Sequence, residues 1–150
     1  LVSIVIIIAL RSFRIGALSF LANLAPIGMG YGIWSIIDGE IGMGLSIVGS
    51  MTFGIVVDDT VHFLSKYLRA RREQQLPSEE AVVYAFRTVG RALLVTSLVL
   101  VAGFLVLSTS LFAVNAKMGL SVAIVIACAL FTVLLFLPPL LMKLDRGVSV

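Results

Sequence analysis

Two aspartates stand side by side in FGIVVDDTVHFLSKY, residues 53–67, inside a segment that is otherwise largely apolar. They are Asp58 and Asp59, and His62 follows four residues after Asp58 on the same helical face. An ionised carboxylate near mid-bilayer costs roughly 2.5 to 3.5 kcal/mol even on the lenient insertion scale, and two cost about twice that before their mutual repulsion. Desolvation and a like-charged neighbour both favour the neutral form, so the pair is expected to retain at least one proton and to titrate as a coupled unit. Its proton affinity shifts whenever a nearby cation or water path moves. That is the chemistry of an intramembrane proton relay.

Other uses of these side chains fit less well. Asp58 and His62 at i and i+4 can chelate, but Asp59 points about 100° away, and no Cys, second His or Glu joins them. No metal is expected. The Ser and Thr residues are scattered through apolar sequence without a Ser, His and acid constellation, so the chain does not read as an enzyme.

The elements that must position the acids are membrane helices. Of the 150 residues, 60% are hydrophobic and 13% charged, and the mean hydropathy is +1.15, outside the range of an ordinary soluble domain. Four stretches approach or exceed the length needed to cross roughly 30 Å of hydrocarbon: about 16–37, 42–65, 92–111 and 118–142. The run LVSIVIIIAL at 1–10 is too short to span and has neither a charged leader nor a small-residue cleavage site. It reads as the tail of a fifth helix, and the chain as a fragment. Cys128, mid-helix, reads as packing.

If the spans alternate, Arg11, Arg14, Lys66, Arg69, Arg71, Arg72, Arg87, Arg91, Lys143 and Arg146 share one side, leaving Lys117 alone on the other. The positive-inside rule makes the basic side cytoplasmic. Tyr31, Trp34 and Tyr67 fall near helix ends, where rings anchor in the headgroup layer. The net charge of +3 and pI near 9.4 arise from juxtamembrane residues without aromatic interleaving, so anionic lipid headgroups, not nucleic acid, are the expected partner. Between Lys66 and Arg91, LPSEEAVVYAFRTVGRA carries a capping Ser78, Glu79 and Glu80 for the positive first turn, and apolar residues at helical spacing. The spacing predicts a short amphipathic helix along the cytoplasmic surface, joining two spans.

Steps of four back from Asp58 give Gly54, Ser50, Ser46 and Gly42. This small ridge is expected to admit another helix closely. Counted from the cytoplasmic ends, Asp58, Asp59, Asn23, Thr96 and Ser97 lie at comparable depths and can share one polar layer. Two readings stay open for each neighbour. Asn23, just before Pro26, serves structural hydrogen bonding or the relay; Thr96 and Ser97 bond back to their own helix or join the relay; His62 is a proton-entry group or interfacial packing. No Lys or Arg lies inside any span, so a cationic counterpart must come from elsewhere.

Three segments carry a family resemblance: GIVVDDTVHFLSKY, then AFRTVGRALLVTSLVLVAGFLVLSTS, then GLSVAIVIACALFTVLLFLPPLLMKLDR. Together they resemble the membrane domain of the resistance-nodulation-division (RND) superfamily, and within it the MMPL-type branch of exporters. The resemblance implies an all-α membrane bundle of about five helices, the first truncated, making residues 1–150 one transmembrane half-domain, with the C-terminal half suggested by LLMKLDRGVSV. It also implies a multi-pass protein of the cytoplasmic inner membrane that exports lipids or hydrophobic compounds. Protons are then the coupling ion, carried by Asp58 and Asp59, with no cofactor. Many MMPL members have Asp and Tyr where this chain has two Asp. The partners implied are membrane lipids, the other RND half, a hydrophobic or lipid substrate and, as a further assembly, a homo-oligomer. A sterol-sensing or Patched-like lipid receptor and SecD/SecF-type protein-export components resemble this helix layout and are the alternatives.

Overall fold

Long apolar stretches without strand-like alternation satisfy their backbone groups within helices. The computed structural model describes residues 13–37, 39 and 43–145, and it has no strand among them. The helices are α1 (Phe13–Ile37), α2 (Met43–Glu73), α3 (Ser78–Ala85), α4 (Arg91–Leu107), α5 (Ala113–Phe131) and α6 (Leu137–Asp145). One π-helical turn, Phe86–Gly90, joins α3 to α4, and another, Thr132–Phe136, joins α5 to α6. The residues flanking both turns keep right-handed helical dihedrals, so each pair runs as one rod.

Four rods are therefore long and apolar enough to cross a membrane: Ser19–Ile37, Ser46–Glu73, Ser78–Leu107 and Ala113–Lys143. Three overrun their expected ends on the basic side, because charged residues are good helix formers and extend each rod past the hydrocarbon. The expected fifth helix at 1–10 and Gly42 both lie outside the described residues.

The α5–α6 rod is the centre of the bundle. Its most apolar window is 56% buried, against 17% for the α3–α4 rod, which lies at the edge. Helix α5 packs against α1, α2 and α4. Near the basic end one apolar cluster gathers Phe63, Leu64, Tyr67 and Leu68 of α2, Ala81, Val82 and Ala85 of α3, and Leu137 and Leu141 of α6. Phe86 adds an edge-to-face contact with Phe63 at 5.1 Å between ring centroids.

That cluster corrects one expectation. The segment 78–91 is not a separate helix lying along the membrane surface; it is the first part of the third rod. Its apolar face is taken by α2 and α6, and Gly90 stays helical with the Phe86 ring beside it. Nor does Ser78 cap it. Pro77 holds the capping position with φ −55° and ψ 156°, and no side chain caps the helix, although Glu79 and Glu80 do occupy its first turn. Trp34 and Tyr67 are likewise buried within the bundle.

The small ridge meets no partner among the described residues. Ser46, Ser50 and Gly54 are exposed, and a Cβ at Gly54 would meet nothing within 4 Å. The neighbouring ridge of Val48, Thr52, Val56 and Thr60 is the one buried, because branched side chains offer the bundle more contact area than glycine and serine. Close helix approach occurs elsewhere. A Cβ at Gly119 of α5 would stand 2.7 Å from the Phe104 carbonyl oxygen and 2.9 Å from the Ser108 nitrogen, both backbone atoms of the preceding rod.

A side chain at Gly119 must therefore push two backbones apart, at a cost of about 1–3 kcal/mol. Gly119→Leu is expected to lower the thermal midpoint of the full-length protein in detergent. Gly103→Leu, with nothing within 4 Å of the added Cβ, is expected to leave it unchanged.

Candidate functional site

Successive side chains on a helix diverge by about 100°, and the two aspartates of α2 face different surroundings. Asp59 turns toward α4, where the buried Ser97 donates its hydroxyl to Asp59 Oδ2 at 3.2 Å. Asp58 turns away from the bundle, and its Oδ1 lies 3.4 Å from His62 Nε2 one turn toward the basic end. The side chains of that pair are 73% and 60% exposed respectively. The acids thus do not converge on one point within this chain.

The other expected neighbours separate as well. Thr96 is exposed and its hydroxyl bonds back to the Ala92 and Leu93 carbonyls at 3.0 and 3.1 Å, so of the Thr96–Ser97 pair only Ser97 reaches an acid. Asn23 is buried in α1 with its Nδ2 3.5 Å from Ser19 Oγ, and it bonds to neither aspartate. Ser19 was not singled out from sequence; its position four residues before Asn23 on a buried face is the signal that marks it. Ser46, Ser50 and Gly54 continue the exposed Asp58–His62 face toward the opposite end.

The matched region is almost the entire chain: the model of the MMPL family covers residues 1–147. The chain belongs to the MMPL family. A relative named "Putative membrane protein MJ1562", from Methanocaldococcus jannaschii, is 27% identical over 117 residues. That match takes in 78% of this chain and 30% of the relative, so the chain spans under a third of that protein's length. No solved structure matches the chain. MMPL proteins are RND-type membrane transporters, not enzymes, and an acid pair in a helix of this MMPL chain is read against that background.

Asp59 and Ser97 make a contact that responds to one proton. An ionised carboxylate only accepts, so Ser97 must donate; a protonated Asp59 carries its own O–H and can donate to Ser97 instead. One proton therefore changes the sense and strength of a bond between two rods, since charge-assisted bonds are roughly twice as strong as neutral ones. Asp58 and His62 stand within one turn, a carboxylate oxygen facing an imidazole nitrogen at 3.4 Å. The nearest cations along α2, Lys66 and Arg69, lie toward the basic end, and Arg69 Nε is engaged by Glu73 at 2.7 Å. Among the described residues no three His, Cys, Asp or Glu side chains are grouped as metal ligands.

A double-mutant cycle separates the two acids. Asp59→Asn and Ser97→Ala are expected to couple by about 0.5–2 kcal/mol in the stability of the full-length protein, the span found for hydrogen bonds between membrane helices. Asp58→Asn and Ser97→Ala are expected to show no coupling in the same unfolding measurement.

Proposed function

We propose that this MMPL chain is the transmembrane half-domain of a proton-driven exporter of lipids or hydrophobic compounds, set in the cytoplasmic membrane with its basic end inward. The observation that carries this reading is the Ser97–Asp59 hydrogen bond between two apolar rods. A carboxylate at that depth is costly unless its protonation does work, and here the proton alters how α4 is held to α2.

Ionised Asp59 takes the Ser97 hydroxyl and fixes one packing of the rods. Protonated Asp59 gives up the charge-assisted bond and favours another. A proton entering down 100 mV releases about 2.3 kcal/mol, which can shift a two-state equilibrium by roughly fifty-fold. Protons are the coupling ion, and no cofactor takes part. Substrate need not touch the acids; the rod movement is passed to parts of the protein beyond this chain.

The exposed face fits the same reading. Ser46, Ser50, Gly54, Asp58 and His62 line one side of α2, and lipid is a poor neighbour for such a stripe. The other RND half is its cover, which would make Asp58 and His62 the members of the relay shared across the two halves, with His62 as the proton-entry group. Membrane lipids cover the remaining apolar surface, and anionic headgroups meet the basic end.

The test uses the full-length protein in proteoliposomes with a pH-sensitive dye inside and an imposed proton gradient. Asp59→Asn is expected to cut proton flux at least ten-fold while the variant inserts and elutes as wild type does, and Asp58→Asn to do the same. Ser97→Ala is expected to lower the flux several-fold, and His62→Gln less. Wild-type flux in both aspartate variants would falsify the relay.

A further inference from the structure

Asn23 carries the least satisfied polar group inside the bundle. Its side chain is 1% exposed, and its Oδ1 has no hydrogen-bond donor among the described residues. A buried amide oxygen left bare costs about 1–3 kcal/mol, so a sequence that keeps Asn there implies a donor.

The buried hydroxyls elsewhere in the bundle are already spent. Thr60 donates to the Val56 carbonyl at 3.0 Å, Thr52 to Val48 at 2.6 Å, Thr132 to Cys128 at 2.8 Å, and Ser97 to Asp59. Asn23 Nδ2 reaches Ser19 Oγ at 3.5 Å, the outer limit of a hydrogen bond, which leaves Oδ1 without a donor. Exchanging the two ends of the amide leaves Nδ2 bare instead of Oδ1. Water can serve either orientation, as a donor to Oδ1 or an acceptor from Nδ2.

Its place in the bundle follows from two contacts. Tyr31 of α1 lies against Gly49 of α2, and Gly30 against Val125 of α5. Counting equally along these antiparallel rods puts Asn23 level with Val57 and with Thr132, where the second π turn begins. Ala22, Val57 and Val133 indeed share one cluster, and α1 packs against that π turn. Asp59 is two residues beyond Val57, about 3 Å along the axis. On the same inner strip of α1, Pro26 has no N–H to give the Ala22 carbonyl, which leaves a second acceptor in the peptide group just before Asn23.

We propose that Asn23 and Ser19 hold an internal water between α1, α2 and the π turn of Thr132–Phe136, at the depth of the Ser97–Asp59 hydrogen bond. The water satisfies the amide oxygen to which no described side chain donates, as buried waters do when they make two to four bonds. Its second role rests on the proton-relay reading above: it is the hydrated station on the inner side of Asp59, and Asn23 is a positioning residue that acts through it.

The full-length protein labelled with 15N-asparagine, in lipid bilayers, gives a direct test by water-edited proton-detected solid-state NMR. The Asn23 side-chain amide, assigned by its loss in Asn23→Leu, is expected to show a cross-peak to water that exchanges slowly with bulk. Absence of that cross-peak overturns the site. In proteoliposomes Asn23→Leu is expected to reduce proton flux about five-fold or more, whereas Asn23→Ser, which puts a hydroxyl in place of the amide and leaves room for a second water, retains most of it. A water cross-peak together with wild-type flux in Asn23→Leu overturns the second role and leaves the site standing. If Asp59→Asn also conducts normally, the relay reading fails while the NMR result still decides the water. Size-exclusion profiles of both Asn23 variants separate lost flux from lost folding.

Discussion

A polar group inside a membrane helix has to find its hydrogen-bond partner within the protein, and most of this bundle's interior answers that demand locally. Thr52, Thr60, Ser121 and Thr132 each return their hydroxyl to a carbonyl four residues earlier. Such bonds satisfy the donor without tying one rod to another. Ser97 is different: it spends its donor on Asp59 across the α2–α4 gap. That bond joins two rods, and its sense and strength depend on whether Asp59 carries a proton.

The adjacent acids meet two different surroundings by simple helix geometry. A turn of about 100° between neighbours sends Asp59 inward to Ser97 and Asp58 outward beside His62. A convergent dyad would have needed the second acid on another helix. The small residues above Asp58 share its outward direction, so the side of α2 with the least bulk is also the side with the most polarity. Small size there leaves room for a covering helix, and polarity supplies something for that helix to bond.

The spans, the acid pair and the Ser97 depth were legible in sequence because each depends on composition or on counting along one helix. Which ridge of α2 faces inward was not legible: Gly54 and Val56 are equally good candidates until α1 and α5 are in place. The continuity of 78–107 was hidden by its composition, since the polar and charged residues of 78–91 look like a surface helix while their apolar face is claimed by Phe63, Leu64 and Tyr67. Trp34 and Tyr67 show the same limit, as a ring near a helix end anchors in headgroups only when no neighbouring rod buries it first. Pairwise depth could be counted; azimuth needed the assembled bundle.

The third rod is the least buried of the four, and it is attached at two ends. At the opposite end its backbone lies directly on Gly119. At the basic end Ala81, Val82 and Ala85 are locked into the apolar cluster. Between these two anchors most of its residues face outward, and Ser97 is its one buried polar tie. The π turn at Phe86–Gly90 separates the basic anchor from that tie, and such turns interrupt the regular bonding ladder of a helix at points where rods bend. The Ser97–Asp59 bond thus lies between the two anchors, about two turns past the point where the ladder is interrupted.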